Sequence, residues 1–157
     1  MFSSASDGRY IGSMNKNEKI VVLMDGFAKT EAQSALSSYA DAGGDSSVVI
    51  AAPITDITAN RITGDVVEAV AAGEWPGGKP RTGGKRSALI AGAGKREAVA
   101  LMRCFKGILP KDADAAFAMV TETGAAWTVD EYISHIRKEH DYMKTADVAS
   151  DPDMKEI

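Results

Sequence analysis

Lys19-Ile-Val-Val-Leu-Met-Asp-Gly-Phe-Ala-Lys-Thr-Glu31 decides the fold, because a counterpart returns 66 positions later as Lys85-Arg-Ser-Ala-Leu-Ile-Ala-Gly-Ala-Gly-Lys-Arg-Glu97. Each stretch holds a short apolar run, a glycine stop, and a Lys and Glu that open an amphipathic pattern. Residues 20–24 and 88–91 read as strands covered on both faces, as in parallel sheets. After Glu31, Ala32, Ala35, Leu36 and Tyr39 recur at helical spacing. After Glu97, so do Ala98, Leu101, Met102 and Phe105. Both glutamates sit where a negative charge meets the positive end of a helix dipole.

The same shift runs on without a gap. Residues 48–52 and 115–120 are second strands, and Thr55 pairs with Thr121, Ala59 with Ala125, and Asp56 with Glu122. Val67 and Val70 pair with Ile133 and Ile136 on later helical stripes. Thr128 and Glu131 form a capping box for the last helix. Self-similarity at one period is read before any motif. The chain reads as α/β, with two pseudo-symmetric β-α-β-α repeats forming one mostly parallel four-stranded sheet with packed helices. One two-stranded unit would hardly bury a core alone. The expected organisation is a disordered N-terminal extension at 1–18, repeats at 19–73 and 87–144, a Gly/Pro/Lys linker at 74–86, and a disordered tail at 145–157. Met14 is an alternative start within the extension.

Composition narrows the function. Aromatic residues are 6% of the chain, so Ala, Val, Ile, Leu and Met must build the core. The net charge of −4 argues against a nucleic-acid binder, which needs a basic face. The one basic cluster, Lys79, Arg81, Lys85 and Arg86, reads as a solvated linker. Cys104 is the only cysteine, which excludes an internal disulfide and fits a reducing cytosol. It falls on a helix beside Leu101, Met102 and Phe105, in a structural role. No apolar run is long enough to span a bilayer. The N-terminus lacks the apolar core of a signal peptide.

Gly26-Phe27 before the first helix, and Thr121, Thr123, Trp127, Thr128 and Glu131 before the last, carry a further pattern. It resembles the prokaryotic domain of unknown function family number three-seven-eight-three. In the second repeat Glu139 and His140 match as well, while Gly124 stands for the usual Asn and Ala93 for the usual Phe. In the first repeat Arg61 replaces the Trp. The resemblance covers most of both units and implies tandem copies of that family. It implies no known activity.

The Ala91-Gly-Ala-Gly-Lys-Arg-Glu97 turn is no P-loop, since Leu89 replaces the first Gly and Arg96 the hydroxyl residue. Glu97 likewise replaces the third Gly of a dinucleotide fingerprint. What remains is a strand-to-helix turn whose N–H groups can meet an anion. Asp25 lacks the second acid that phosphotransfer would need. Glu131, His135 and Glu139 share a helix face that reads as solvated, and His140 reads as the helix end. Ligands of open α/β sheets bind beyond the strand C-termini. The candidate ligand residues are therefore Gly26, Lys29, Thr55, Gly92, Gly94, Lys95, Thr121 and Thr123, with Asp56, Thr58 and Glu122 in the same loops. The expected function is a cytoplasmic, non-catalytic binding or regulatory module for a protein partner or small anionic ligand. The alternative is an enzyme with its site between the repeats at the C-terminal edge of the strands. No catalytic or metal-binding residue is assigned, and membrane and nucleic acid are not expected partners.

Overall fold

The computed structural model describes residues 19–82 and 85–150, with side chains through 145. The extension expected at 1–18, with Met14, lies outside the described residues, as do residues 151–157 of the tail. Strand β1 is Ile20–Asp25, stopped by Gly26 at φ 87°, a conformation that L side chains rarely adopt. Helix α1, Lys29–Asp41, buries Ala32, Ala35 and Tyr39 on one stripe. A short 3₁₀ turn leads to β2, Val49–Pro53, and a second leads to α2, Thr63–Ala71. Strand β3 is Arg86–Ala91, stopped by Gly92 at φ 84°, and α3 is Lys95–Gly107. Strand β4, Ala115–Met119, precedes the one-turn α4, Glu122–Ala125, and α5, Val129–Ser150. Helix α5 therefore passes through His140, which does not end it, and carries regular structure into the expected tail.

The four strands form one mixed sheet in the order β2-β1-β3-β4. The outer pairs β1–β2 and β3–β4 are parallel, as expected, but the central pair β1–β3 is antiparallel. The linker explains the reversal. Helix α2 returns the chain to the end where β1 starts. The following segment then passes β2, with Trp75 bordering a groove beside Ile50 and Pro53. It arrives at the far end of the sheet, where Arg81 N–H donates to Ile54 O at 3.0 Å and Gly26 N–H donates to Arg81 O at 3.1 Å. Strand β3 must then run back against β1.

Alternation along the strands divides the core between the two sheet faces. Val22, Met24, Ala88 and Ile90 pack beneath α1 and α3 with Phe27, Leu101 and Phe105. Val21, Leu23, Leu89 and Ala91 pack beneath α2 and α5 with Val67, Val129 and Ile133. Leu23 lies directly opposite Leu89 at the centre of the sheet. On the second face the halves also meet through backbone. Thr63 N–H donates to Trp127 O at 2.8 Å, and Val129 N–H donates to Arg61 O at 2.9 Å.

Candidate functional site

The antiparallel centre places the start of β1 beside the end of β3, with Val21 opposite Ala91. Ile20 is thereby brought to the Gly92-Ala93-Gly94 turn and to the first turn of α3. The loop after α1, from Ala42 to Asp45, completes an open cleft of about 690 Å³. Small residues keep it open: a Cβ on Gly44 would lie 2.5 Å from the Tyr39 ring. Gly94 is the N-cap of α3 and gives that helix no side-chain acceptor. Glu97 folds back over it, its Oε1 only 2.7 Å from where a Gly94 Cβ would stand.

Tyr39 is 4% exposed, and among the described residues its hydroxyl makes no hydrogen bond. Burial pushes its phenol pKa up, and Glu97, Cys104 and Asp45 push it further in the same direction. Asp45 is held as a carboxylate chiefly by hydrogen bonds from the Ser47 hydroxyl and N–H, with Lys19 assisting against a small burial effect. Glu97 makes no ion pair among the described residues. The cleft is thus lined by two carboxylates, one phenol, the guanidinium of Arg96, backbone, and apolar side chains that include Ile20 and Val48.

The opposite end of the sheet, where β1 and β2 finish, is filled. Arg86 grips Glu31 with both arms of its guanidinium, Nε to Oε1 at 3.1 Å and Nη2 to Oε2 at 2.8 Å. Glu31 also accepts from Ala28 N–H at 2.9 Å. The Arg86 hydrogen bond draws the Glu31 carboxyl below its ordinary range, against burial, with the Ala28 N–H and the Arg86 charge adding to it. The linker covers the rest of this end. Arg81 pairs with Asp25 and Asp130, each at 3.0 Å. Of the cluster expected to be a solvated linker, Arg81 and Arg86 are therefore spent on internal pairs, while Lys79 and Lys85 stay exposed.

The expected ligand residues do not converge. Because β1 and β3 oppose each other, Gly26, Lys29 and Thr55 lie at one sheet end, and Gly92, Gly94, Lys95, Thr121 and Thr123 at the other. Gly26 is buried under Arg81, and Thr55 is wholly buried. Thr55 Oγ1 accepts from Thr58 N–H at 3.1 Å and donates to Gly77 O at 2.8 Å. Thr121 Oγ1 accepts from Gly124 N–H at 3.1 Å. Both threonines thus cap the turn after a second strand. Lys29 and Lys95 are exposed first residues of α1 and α3 and stand outside the cleft, and Thr123 is exposed on α4. Only Gly92 and Gly94 of the expected set line it. Tyr39, Gly43, Gly44, Asp45 and Glu97 carried no sequence signal for a site, since helical spacing marks Tyr39 only as core.

Asp114, His140 and Asp141 place three potential metal ligands within 4.8 Å of one another. Their charge is already matched. Arg137 Nη2 lies 2.8 Å from Asp114 Oδ2, and Lys144 and Lys85 approach to 3.8 and 3.9 Å. Burial pushes the Asp114 carboxyl up, but Arg137, Lys144 and His140 together hold it below its usual value. His135 pairs with Glu139 at 3.2 Å on the exposed face of α5 and stacks edge-on against Trp127. Among the described residues, no helix is long and apolar enough to cross a membrane.

No curated protein and no solved structure matches the chain. Residues 86–143, which hold β3 through most of α5, match the model of the family described as a domain of unknown function (DUF3783), so this segment of the chain is similar to that family.

Proposed function

We propose that this chain is a non-catalytic binding module, built from two copies of one β-α-β-α unit, with the cleft at Gly92–Gly94 as its recognition site. The duplication is supported by one constant shift in the starts of the strands and the longer helices: Ile20 to Arg86, Lys29 to Lys95, Val49 to Ala115 and Thr63 to Val129. It is supported again by the registers, in which Ile20 faces Val49 and Arg86 faces Ala115. Leu23 and Leu89, equivalent under that shift, face each other across the centre. A reducing cytosol is the setting a single cysteine fits.

The observation that carries the binding reading is the unequal filling of two equivalent positions. One is plugged by Phe27, Arg86 and Glu31, and the other, lined by Ala93, Ile20 and Glu97, is a cleft at the junction of the halves. Clefts of this size between structural units are where ligands collect. Glu97 and Asp45 in its lining disfavour a small anion, so a protein partner is the better occupant. The enzyme alternative loses its support, since it needs the strand C-termini of both halves at one edge, and Asp25 opposite Ser87 places them at opposite ends.

The test is a titration of the isotope-labelled full chain with a peptide library, followed through backbone amide signals. Saturable shifts at Gly43, Gly44, Gly92 and Gly94, lost in Ala93→Phe, support the reading. Saturable shifts confined to other surfaces overturn it.

A further inference from the structure

We infer that the cleft takes a guanidinium group, held by the Glu97 carboxylate and the Tyr39 hydroxyl. This rests on the reading of the cleft as a recognition site, and the protein itself supplies the precedent. At the filled end, a Glu in the first turn of a helix receives the guanidinium of Arg86 through two hydrogen bonds. At the open end, Glu97 occupies the same place in the first turn of α3, and Ile20 stands where the arginine would be. Phe27 and Leu109, buried together in the core at the first position, have Ala93 and Gly43 as their counterparts here. Glu97 thus keeps its carboxylate beside vacated space.

Tyr39 is the independent second observation. Its counterpart is Phe105, which is wholly buried and has no polar atom. Tyr39 adds a hydroxyl to an otherwise equivalent ring, buries nine-tenths of its surface, and leaves that hydroxyl without a hydrogen bond among the described residues. The hydroxyl is not sealed in the core with the ring but opens to the cleft, where a donor can reach it. A guanidinium carries five donors, enough to engage a carboxylate bidentately and a phenol oxygen at once. The lining holds Glu97 and Asp45 against Arg96, and Lys19 acts on Asp45, so Glu97 remains the principal acceptor. The positive end of α3 is no obstacle, since α1 presents the same end to Arg86.

The experiment is calorimetric titration of the full chain with N-acetylarginine amide and with a short peptide bearing one arginine. Each is compared with its citrulline counterpart, which keeps the shape and loses the charge. Arginine probes are expected to bind at least about tenfold more tightly than citrulline probes. Glu97→Gln, a change at an exposed position, should remove that preference, and Tyr39→Phe should weaken binding less. Ile20→Arg should raise the melting temperature and abolish probe binding, and the rise should vanish in Ile20→Arg/Glu97→Gln. A peptide much tighter than the free amide identifies a protein partner as the source of the group; equal affinities identify a small molecule. Citrulline binding as well as arginine, or an unchanged preference in Glu97→Gln, overturns the guanidinium assignment. If other probes then saturate the Gly43, Gly44, Gly92 and Gly94 amides, the recognition reading survives that failure; if every saturable probe bypasses those amides, it fails too.

Discussion

The two ends of the sheet each carry a left-handed glycine stop and the first turn of a helix, and they are finished differently. Where β1 and β2 stop, the linker lies across the strand ends, Phe27 packs edge-on against Phe105 with ring centroids 5.4 Å apart, and Arg86 is locked to Glu31. Where β3 and β4 stop, Ala93 leaves the phenylalanine position short, Ile20 offers no charge, and a cleft remains. The strand-turn-helix frame is the same at both ends, with a left-handed glycine at Gly26 and at Gly92. The frame therefore carries stability at one end, and at the other it leaves open the cleft proposed above as a recognition site.

The largest expected effect exchanges the two aromatic positions. Phe27→Ala should cost about 3–5 kcal/mol, because it empties a site only 2% exposed. Ala93→Phe should leave stability within about 1 kcal/mol, because space is already present. Urea unfolding of both variants checks the contrast, and equal costs would break it.

Next is the ion pair. Arg86→Ala should cost about 2 kcal/mol at neutral pH, since the Arg86 and Glu31 side chains are only 22% and 23% exposed and the carboxylate would lose both charge-assisted hydrogen bonds. The sign with pH follows from the lowered pKa of Glu31. A depressed folded-state pKa adds stability above the unfolded pKa, and that stability is lost as pH falls through the folded value. The difference between Arg86→Ala and the parent should therefore shrink in acid. Melting temperatures from pH 7 downward measure it, and a gap that widens on acidification would contradict the pairing.

The capping threonines sharpen the comparison further. Thr55→Ala should cost about 2 kcal/mol, because it removes a cap and strands the buried Thr58 N–H that Oγ1 accepts. Thr121→Ala should cost about 1 kcal/mol, because its capped turn can turn to water. Thermal unfolding of the two single variants separates the costs. The smallest effect belongs to Lys29→Ala and Lys95→Ala, expected within about 0.5 kcal/mol of the parent at these exposed positions. A large loss in either would return them to the site.

Much of the fold was legible because its determinants are local. The apolar runs at 20–24 and 88–91 formed strands, the stripes after Glu31 and Glu97 formed helices, and Thr128 with Glu131 capped α5 reciprocally at 3.1 and 2.9 Å. The site was scarcely legible. Gly92 and Gly94 stood out as punctuation, but Tyr39 looked like any core residue, and Gly43-Gly44 like any loop. Their meaning depends on what lies across from them. The assumption that all strand ends share one edge failed at the central pair, since nothing in the residues of a Gly/Pro-rich linker states which end of the sheet it reaches.

By itself the sequence determined the elements, their stops and the constant shift between halves, because periodicity, glycine conformation and helix capping act within a few residues of chain. The direction of β3, the sealing of one sheet end and the opening of the other were decided only by tertiary structure. The backbone hydrogen bonds that Ile54 O accepts from Arg81 N–H and that Gly26 N–H donates to Arg81 O, and the reach of Arg86 to Glu31, join residues more than 25 positions apart. Such contacts exist only once the sheet has brought their partners together.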